Sequence, residues 1–391
     1  MPDLSLQILN AIRGDLGADY EARIPEATRE NIASVGNTIL SYQPTTNSFL
    51  TALLNRISKT VVEHMASVDD IYSMFKDERL PFGDTIQKIF VDIPKAKPFD
   101  GTATVSMLSQ EKGAIHVEYT KVDRKIFYKQ TISIPQLKEA FVNPQALDNF
   151  ITAITESMAR ALSYDKYIML THTLAEHAGY VKELSDEAGN NVAVLAVPAT
   201  VAQYNKDTKQ IEWDTVGAKA FLKALRIGSR SLKFPHKLTY GAYSAEDETI
   251  TKVGEISAIT TPISKQIVAL EVSSLAEIDV EALAVLFNMD KAKPESRILE
   301  LQDGALGLHT NVNDSAVAEV YLGGFVCDVD AVERGTSYED TDSFKNPEGQ
   351  YVNLWNHYWG YMAVSKFKDF MPIVFTVKPA ESAGGSEGEG E

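Results

Sequence analysis

A single cysteine, Cys327, stands among 391 residues. One thiol closes no internal disulfide, so the chain suits a reducing compartment and draws no stability from covalent cross-links. No run approaches the roughly 18 uncharged apolar residues of a membrane span. The N-terminal stretch MPDLSLQILNAIRGDLG lacks the basic start, apolar core and small-residue cleavage site of a secretory signal. Positive charge is scarce: 37 Lys and Arg face 54 Asp and Glu, a net charge of −17. That balance disfavours tight nucleic-acid binding, which needs cations to displace counterions, and equally disfavours anionic membranes. Glycine-rich phosphate loops, nucleophile elbows, Cys–His pairs and zinc spacings are missing as well. The expectation is a soluble chain made in the cytoplasm, with no membrane contact, no cofactor, no metal and no catalytic residue.

What is present is an ordinary globular composition, 44% hydrophobic and 23% charged, at a length that calls for two or more lobes. Residues 1–45 read as an arm, interrupted by Pro25 and Pro44, with short helices around Leu4–Ile12 and Thr28–Leu40 and no large apolar face. Phe49, Leu50, Leu53, Leu54 and Ile57 then mark an amphipathic helix. From Leu80 to Ile134 the period falls to two. Ile115, Val117 and Tyr119 alternate with His116, Glu118 and Thr120, which predicts a long, protruding antiparallel hairpin without a core of its own. Asn143-Pro144 is a cap followed by proline at the first helical position. It opens a helix running to about His177, with Gly179 as its stop. Strands are expected at Asn191–Val201, Ile267–Val272, Ile298–Leu301, Ala318–Val329 and Tyr351–Val377, and helices at Val216–Ile227 and Ile278–Asn288. Helices and strands mix without a βαβ rhythm, so the fold class is α+β. The terminal SAGGSEGEGE reads as a disordered acidic tail.

Four groups of residues invite a chemical reading. His172 and His177 share the long helix, but a metal pair wants i, i+4, and i, i+5 turns the rings about 140° apart, so surface histidines are favoured. Asp328, Asp330 and Glu333, or Glu339, Asp340 and Asp342, would hold a divalent ion. Phe344 stands where a calcium loop needs an oxygen, and solvated loops are favoured. Arg226, Arg230, Lys233, His236 and Lys237 form the one basic segment, placed where a helix C-terminus welcomes cations. Trp355, His357, Trp359 and Tyr361 share strand parity and are expected to form one packed sheet face rather than a sugar- or base-stacking platform.

The order of parts, and six segments in particular, resemble a known family. The segments are ADYEARIPEATRENIASVGNTIL (18–40), FLTALLNRI (49–57), LPFGDTIQKIFVDIPKAKPFD (80–100), KQTISIPQLKEAF (129–141), IDVEALAVLFNM (278–289) and NPEGQYVNLWNHYWGYMAVSKFKDFMPIVF (346–375). They resemble the Hong Kong 97-type fold of tailed-phage major capsid proteins, and more closely those of short-tailed phages (podoviruses) of the phi-twenty-nine type. The resemblance implies a non-enzymatic subunit that self-assembles, as pentamers and hexamers, into the shell around a double-stranded DNA genome. It implies an N-terminal arm at 1–45, the start of a peripheral domain at 46–82 and an extended loop at 83–132. The peripheral domain resumes at 133–214 with its spine helix at 144–177. An axial domain follows at 215–345, then C-terminal strands returning to the peripheral domain at 346–380 and a tail at 381–391. The hairpin residues Pro94, Lys95, Lys97, Phe99, Ile115, Val117 and Tyr119 are the expected intersubunit contacts. Further implied are a separate scaffolding protein, a portal, non-specific contact with packaged DNA, assembly in the host bacterial cytoplasm and a place in the virion capsid. Residues 179–214 look longer than the family pattern leads one to expect. A second reading stays open, a carbohydrate- or metal-dependent enzyme or binding protein using the acidic clusters and the Trp355/Trp359 strand.

Overall fold

The computed structural model describes residues 4–41, 48–49, 52, 72–80, 83–96, 110, 112–133, 135–136, 144–187, 194–214, 217–244, 249–278, 298–310, 319–346 and 348–378. The chain opens with helices α1 (Leu4–Asp15), α2 (Ala18–Arg23) and α3 (Ile32–Ser41). Gly17, at φ 85°, supplies the left-handed turn between the first two. Strands β1 (Asp77–Arg79), β2 (Thr85–Val91), β3 (Ile115–Lys121) and β4 (Arg124–Ser133) follow, then helix α4 (Pro144–Glu187). Next come β5 (Leu195–Val197), β6 (Ala202–Asn205), β7 (Gln210–Trp213) and helix α5 (Gly217–Ser231). The chain continues through β8 (His236–Ser244), β9 (Thr249–Ile259), β10 (Gln266–Glu271), helix α6 (Val272–Glu277), β11 (Ile298–Leu301) and β12 (Gly307–Thr310). It closes with β13 (Glu319–Asp328), β14 (Val332–Asn346), β15 (Tyr351–Val364) and β16 (Phe370–Lys378).

The main core surrounds an eight-stranded sheet with the path β11-β10-β13-β16-β6-β7, to which β12 and β5 add at β13 and β16. All six residues of β10 are buried, because the sheet is covered on both sides. Ile267 and Ala269 face a layer containing Leu170, Leu174 and Ala178 of α4. Val268 and Leu270 face a layer containing Phe221 and Leu225 of α5. This explains an unbroken apolar run where a one-face-wet strand would alternate. A four-stranded sheet, β1-β14-β15-β4, forms the second layer pair. Val352, Leu354 and Tyr358 of β15 and Ile132 of β4 pack there against Leu9, Ile12 and Ile39 of the arm and Ile154, Met158 and Leu162 of α4.

Several expectations change. The spine helix starts at Pro144 as expected but runs past Gly179 to Glu187, 44 residues and about 66 Å. Gly179 is a packing glycine, since a Cβ there would lie 2.8 Å from the His309 ring. Burial of Val181, Leu184 and Ser185 carries the helix onward. The arm is not coreless. It is packed on its own chain and tied down by Asn10, whose side chain accepts from Ala27 N–H (2.7 Å) and donates to Ala27 O (3.0 Å). The hairpin does not include β4: among the described residues β2 pairs with β3 alone, while β4 joins β15. The packed face of β15 carries Val352, Leu354 and Tyr358, whereas Trp355, His357 and Trp359 lie half-buried on the other face. Tyr361, beyond a bulge between Thr336 and Tyr338, is buried. His177 is buried, not on the surface. Strand pairing crosses the boundary at 345/346, where β13 pairs with β16 and β14 with β15, while β16 also pairs with β5 and β6 of 133–214. Residues 179–214 hold the end of α4 and the strands β5 to β7. The helix expected over 49–57 lies outside the described residues except at 49 and 52, as do nearly all of Ile278–Asn288 and the terminal tail.

Candidate assembly surface

Alternation along β2 and β3 gives the hairpin two faces, and the pairing aligns them. Val91 sits opposite Ile115, Ile89 opposite Val117 and Gln87 opposite Tyr119. Ile89, Val91, Ile115, Val117 and Tyr119 therefore share one face, and each is 39–66% exposed. Ile93, one step beyond β2, is 58% exposed. A soluble monomer rarely leaves so continuous an apolar stripe in water.

The opposite, more polar face is the one that rests on the chain's own body. Glu118 accepts from Ser365 Oγ (2.6 Å) and from the Lys366 N–H (2.9 Å). His116 Nδ1 and the Tyr240 hydroxyl share a hydrogen bond of 2.7 Å. Asp92 Oδ1 accepts from Ser257 N–H at 3.2 Å. Lys88 pairs with Glu333, and burial draws its ammonium below the ordinary lysine value. Ile86 and Phe90 are the large apolar residues on this face, and Phe90 meets Phe367 with ring centroids 6.4 Å apart. Partnered polar groups can face inward at little cost. This leaves the apolar parity facing out.

Of the expected contacts, Ile115, Val117 and Tyr119 lie on the apolar stripe, and Pro94 and Lys95 are exposed just beyond β2. Lys97 and Phe99 lie outside the described residues. Sequence reasoning missed Ile89, Val91 and Ile93, although their spacing of two carried the signal. It also missed Glu118 and His116 as docking groups, whose partners are 124 to 248 residues away.

The other candidate residues do not converge. His172 is exposed beside Glu176, while His177 stacks edge-on against Phe370, and burial pushes its pKa down to about 3. Asp330 pairs with Lys265 (3.0 Å), Glu333 with Lys88, and Asp328 accepts from Thr261 (3.3 Å). Asp340 and Asp342 stand on β14, a strand rather than a loop. Among the described residues no group of three or more His, Cys, Asp or Glu is gathered as a metal site. Trp355 and Trp359 lie under Lys129 and Lys125, at 5.5 and 4.9 Å from Nζ to ring centre. The buried Cys327 thiol is pushed up by burial.

A model of the family described as Phi29-like phage major capsid protein matches residues 9–375. The major capsid protein of Bacillus phage PZA is 26% identical over 378 residues, covering 96% of this chain and 74% of that one. That of Streptococcus phage Cp-1 is 25% identical over 367 residues, covering 93% of each chain. The solved capsid structure of Staphylococcus phage Andhra superposes with a TM-score of 0.52 at 13% identity, covering 78% of this chain and 84% of that one. The match is in fold. The relatives are structural proteins, and the carbohydrate- or metal-dependent reading is left without support. The chain belongs to the Phi29-like phage major capsid protein family: it is a non-enzymatic shell subunit of the virion capsid, with the Hong Kong 97-type fold.

Proposed function

We propose that the β2–β3 hairpin is the extended loop by which each subunit lies over a neighbour, and that the neighbour covers the stripe from Ile89 and Val91 to Ile115, Val117 and Tyr119. One observation carries this reading: the hairpin's inner face is already occupied by its own chain, while the exposed face is the apolar one. Covering the exposed remainder of each such side chain, roughly half of it, contributes about 1 kcal/mol. Pro94 and Lys95 continue the contact beyond β2, and Lys97 and Phe99 belong to the same set of intersubunit contacts. Residues 1–45 serve as the N-terminal arm, the spine helix with the returning C-terminal strands of 346–380 as the peripheral domain, and about 215–345 as the axial domain at the centre of pentamers and hexamers. A separate scaffolding protein and a portal take part in assembly in the host bacterial cytoplasm. The packaged DNA is touched without sequence preference, and the charge of −17 lets it slide.

The test is the double variant Val91→Ser, Val117→Ser, co-expressed with the phage's other head proteins. The purified subunit is expected to melt like the parent by circular dichroism, because both side chains are exposed. Shells counted by electron microscopy are expected to fall at least about tenfold, since 1.4 kcal/mol is one decade and several contacts repeat per subunit. Parental shell yields from this variant would overturn the hairpin contact.

A further inference from the structure

From 215 to 245 the chain has no Asp or Glu and six Lys or Arg, in a protein whose net charge is −17. Helix α5 turns most of that charge to one side. Lys219, Lys223, Arg226 and Arg230 recur at steps of four, three and four, which confines them to an arc of about 60° along about 16 Å of helix. All four are exposed, as is Lys233 just beyond the helix. Lys237 pairs with Glu255. The other five cations have no ion-pair partner among the described residues. The opposite side of α5 is fixed in the core by Phe221 and Leu225, so the basic side cannot turn away.

Two apolar side chains flank this row, Ile227 at 63% and Phe234 at 65% exposure. Phosphates would engage the cations and leave both in water, whereas a protein surface covers both. The acidic complement is on the chain itself. Tyr338, Asp340, Asp342 and Phe344 alternate along one face of β14, and all four are exposed. The edge of β14 away from β15 is covered by β1 only at Arg334–Thr336. Lys125 and Lys129 of β4 extend over Trp359 and Trp355 of β15, the strand beside β14, and among the described residues neither pairs with Asp340 or Asp342.

We propose that the basic, partly apolar face of α5 docks on the acidic, partly aromatic face of β14 in a second copy of this chain. Copies carrying −17 each repel one another. The α5 face is where that repulsion is reversed, and complementary charge sets register as well as attraction. The two faces differ, so the contact is heterologous, the kind that closes rings. It rests on the chain being a shell subunit and not on the hairpin contact, which uses another surface.

Cys327 is the only cysteine and is fully buried, so Ile227→Cys supplies one reactive thiol. The full-length chain carrying it, coupled to a benzophenone maleimide, is irradiated and its cross-links mapped by mass spectrometry. Chain-to-chain cross-links are expected within 338–344. Their yield is expected to fall about tenfold between about 0.02 M and about 0.5 M salt, as the screening length shortens. Adding Lys223→Gln, Arg226→Gln and Arg230→Gln is expected to remove them at low salt, with an unchanged circular dichroism spectrum. The Val91→Ser, Val117→Ser hairpin variant is expected to keep them. No chain-to-chain cross-link, cross-links to other segments, or yields indifferent to salt would overturn the proposal. So would a label captured only by added duplex DNA, which would make α5 a nucleic-acid face.

Discussion

The N-terminal arm and the β2–β3 hairpin look alike in sequence, two stretches without an evident core, yet the fold treats them in opposite ways. The arm buries Leu9, Ile12, Ile24, Ile32, Val35 and Ile39 in its own subunit. The hairpin leaves Ile89, Val91, Ile115 and Val117 in water. The difference is one of partners. The arm's apolar residues recur at helical spacing and find the face of β15 and α4. The hairpin's own-chain partners instead match its polar parity: Ser365 and Lys366 for Glu118, Glu333 for Lys88, Tyr240 for His116. Apolar content alone therefore does not say which segment is internal. What decides is which face of it the rest of the chain can satisfy.

The comparison breaks most readily at isoleucine. Ile12→Ala and Ile39→Ala remove side chains that are 1% exposed, and each is expected to lower subunit stability by about 2–5 kcal/mol in denaturant titration. Ile115→Ala, at 66% exposure, is expected to stay within about 0.5 kcal/mol. Equal losses at all three would mean that the hairpin is as internal as the arm. A smaller effect is expected at Glu118, which holds the hairpin to 365–366. Glu118→Ala leaves the Lys366 N–H and the Ser365 hydroxyl without their acceptor and is expected to cost about 1–3 kcal/mol. Amide exchange should quicken in β2 and β3 and stay unchanged in α1 to α3. Unchanged exchange in the hairpin would show that its inner face is held by its other contacts, Lys88 with Glu333, His116 with Tyr240, Asp92 with Ser257 and Phe90 with Phe367.

Local pattern made some of this fold legible and long-range pairing hid the rest. Proline at 144 marked the start of α4, and the apolar run 267–272 marked a strand buried on both sides. Gly179 misled because its role is contact with His309, 130 residues away, not helix termination. Strand β14 was hidden behind VERGTSYEDTDSFKN, whose acids read as loop or ion ligands. It is a strand because β15 pairs with it along nearly its full length while Asp340 and Asp342 point to water. The β8–β9 hairpin gave no local signal of comparable strength, and Tyr240, which it places against His116, was correspondingly invisible. Within the candidate surface, parity placed three of the expected contacts, Ile115, Val117 and Tyr119, on one exposed face. The distinction between the wet and the docked face depended on Ser365 to Phe367, which no nearby residue announces.

The smallest expected effect is a pH dependence that separates the two regions. The hairpin rests on β8–β9 through Tyr240, and Phe90 and Tyr240 join the cluster of Ile256, Ile259 and Phe367. His236 anchors the start of β8: its Nε2 lies 2.8 Å from Asp369 Oδ1, and its Nδ1 lies 2.9 Å from Phe234 O. The Asp369 hydrogen bond holds the imidazolium above the ordinary histidine value, against the opposing pull of burial. A raised folded-state pKa means stability that is fully present below about pH 6.5, the unfolded value, and lost as pH rises through the folded value. Between about pH 5.5 and about pH 8.5, amide exchange in β8 and in the hairpin it supports is therefore expected to accelerate beyond the intrinsic base-catalysed increase, while α1 to α3 show only that increase. His236→Gln, which cannot gain the proton, is expected to flatten the difference. An identical pH response in arm and hairpin, or one that survives His236→Gln, would place the titrating group elsewhere and unlink the hairpin from its seat on β8.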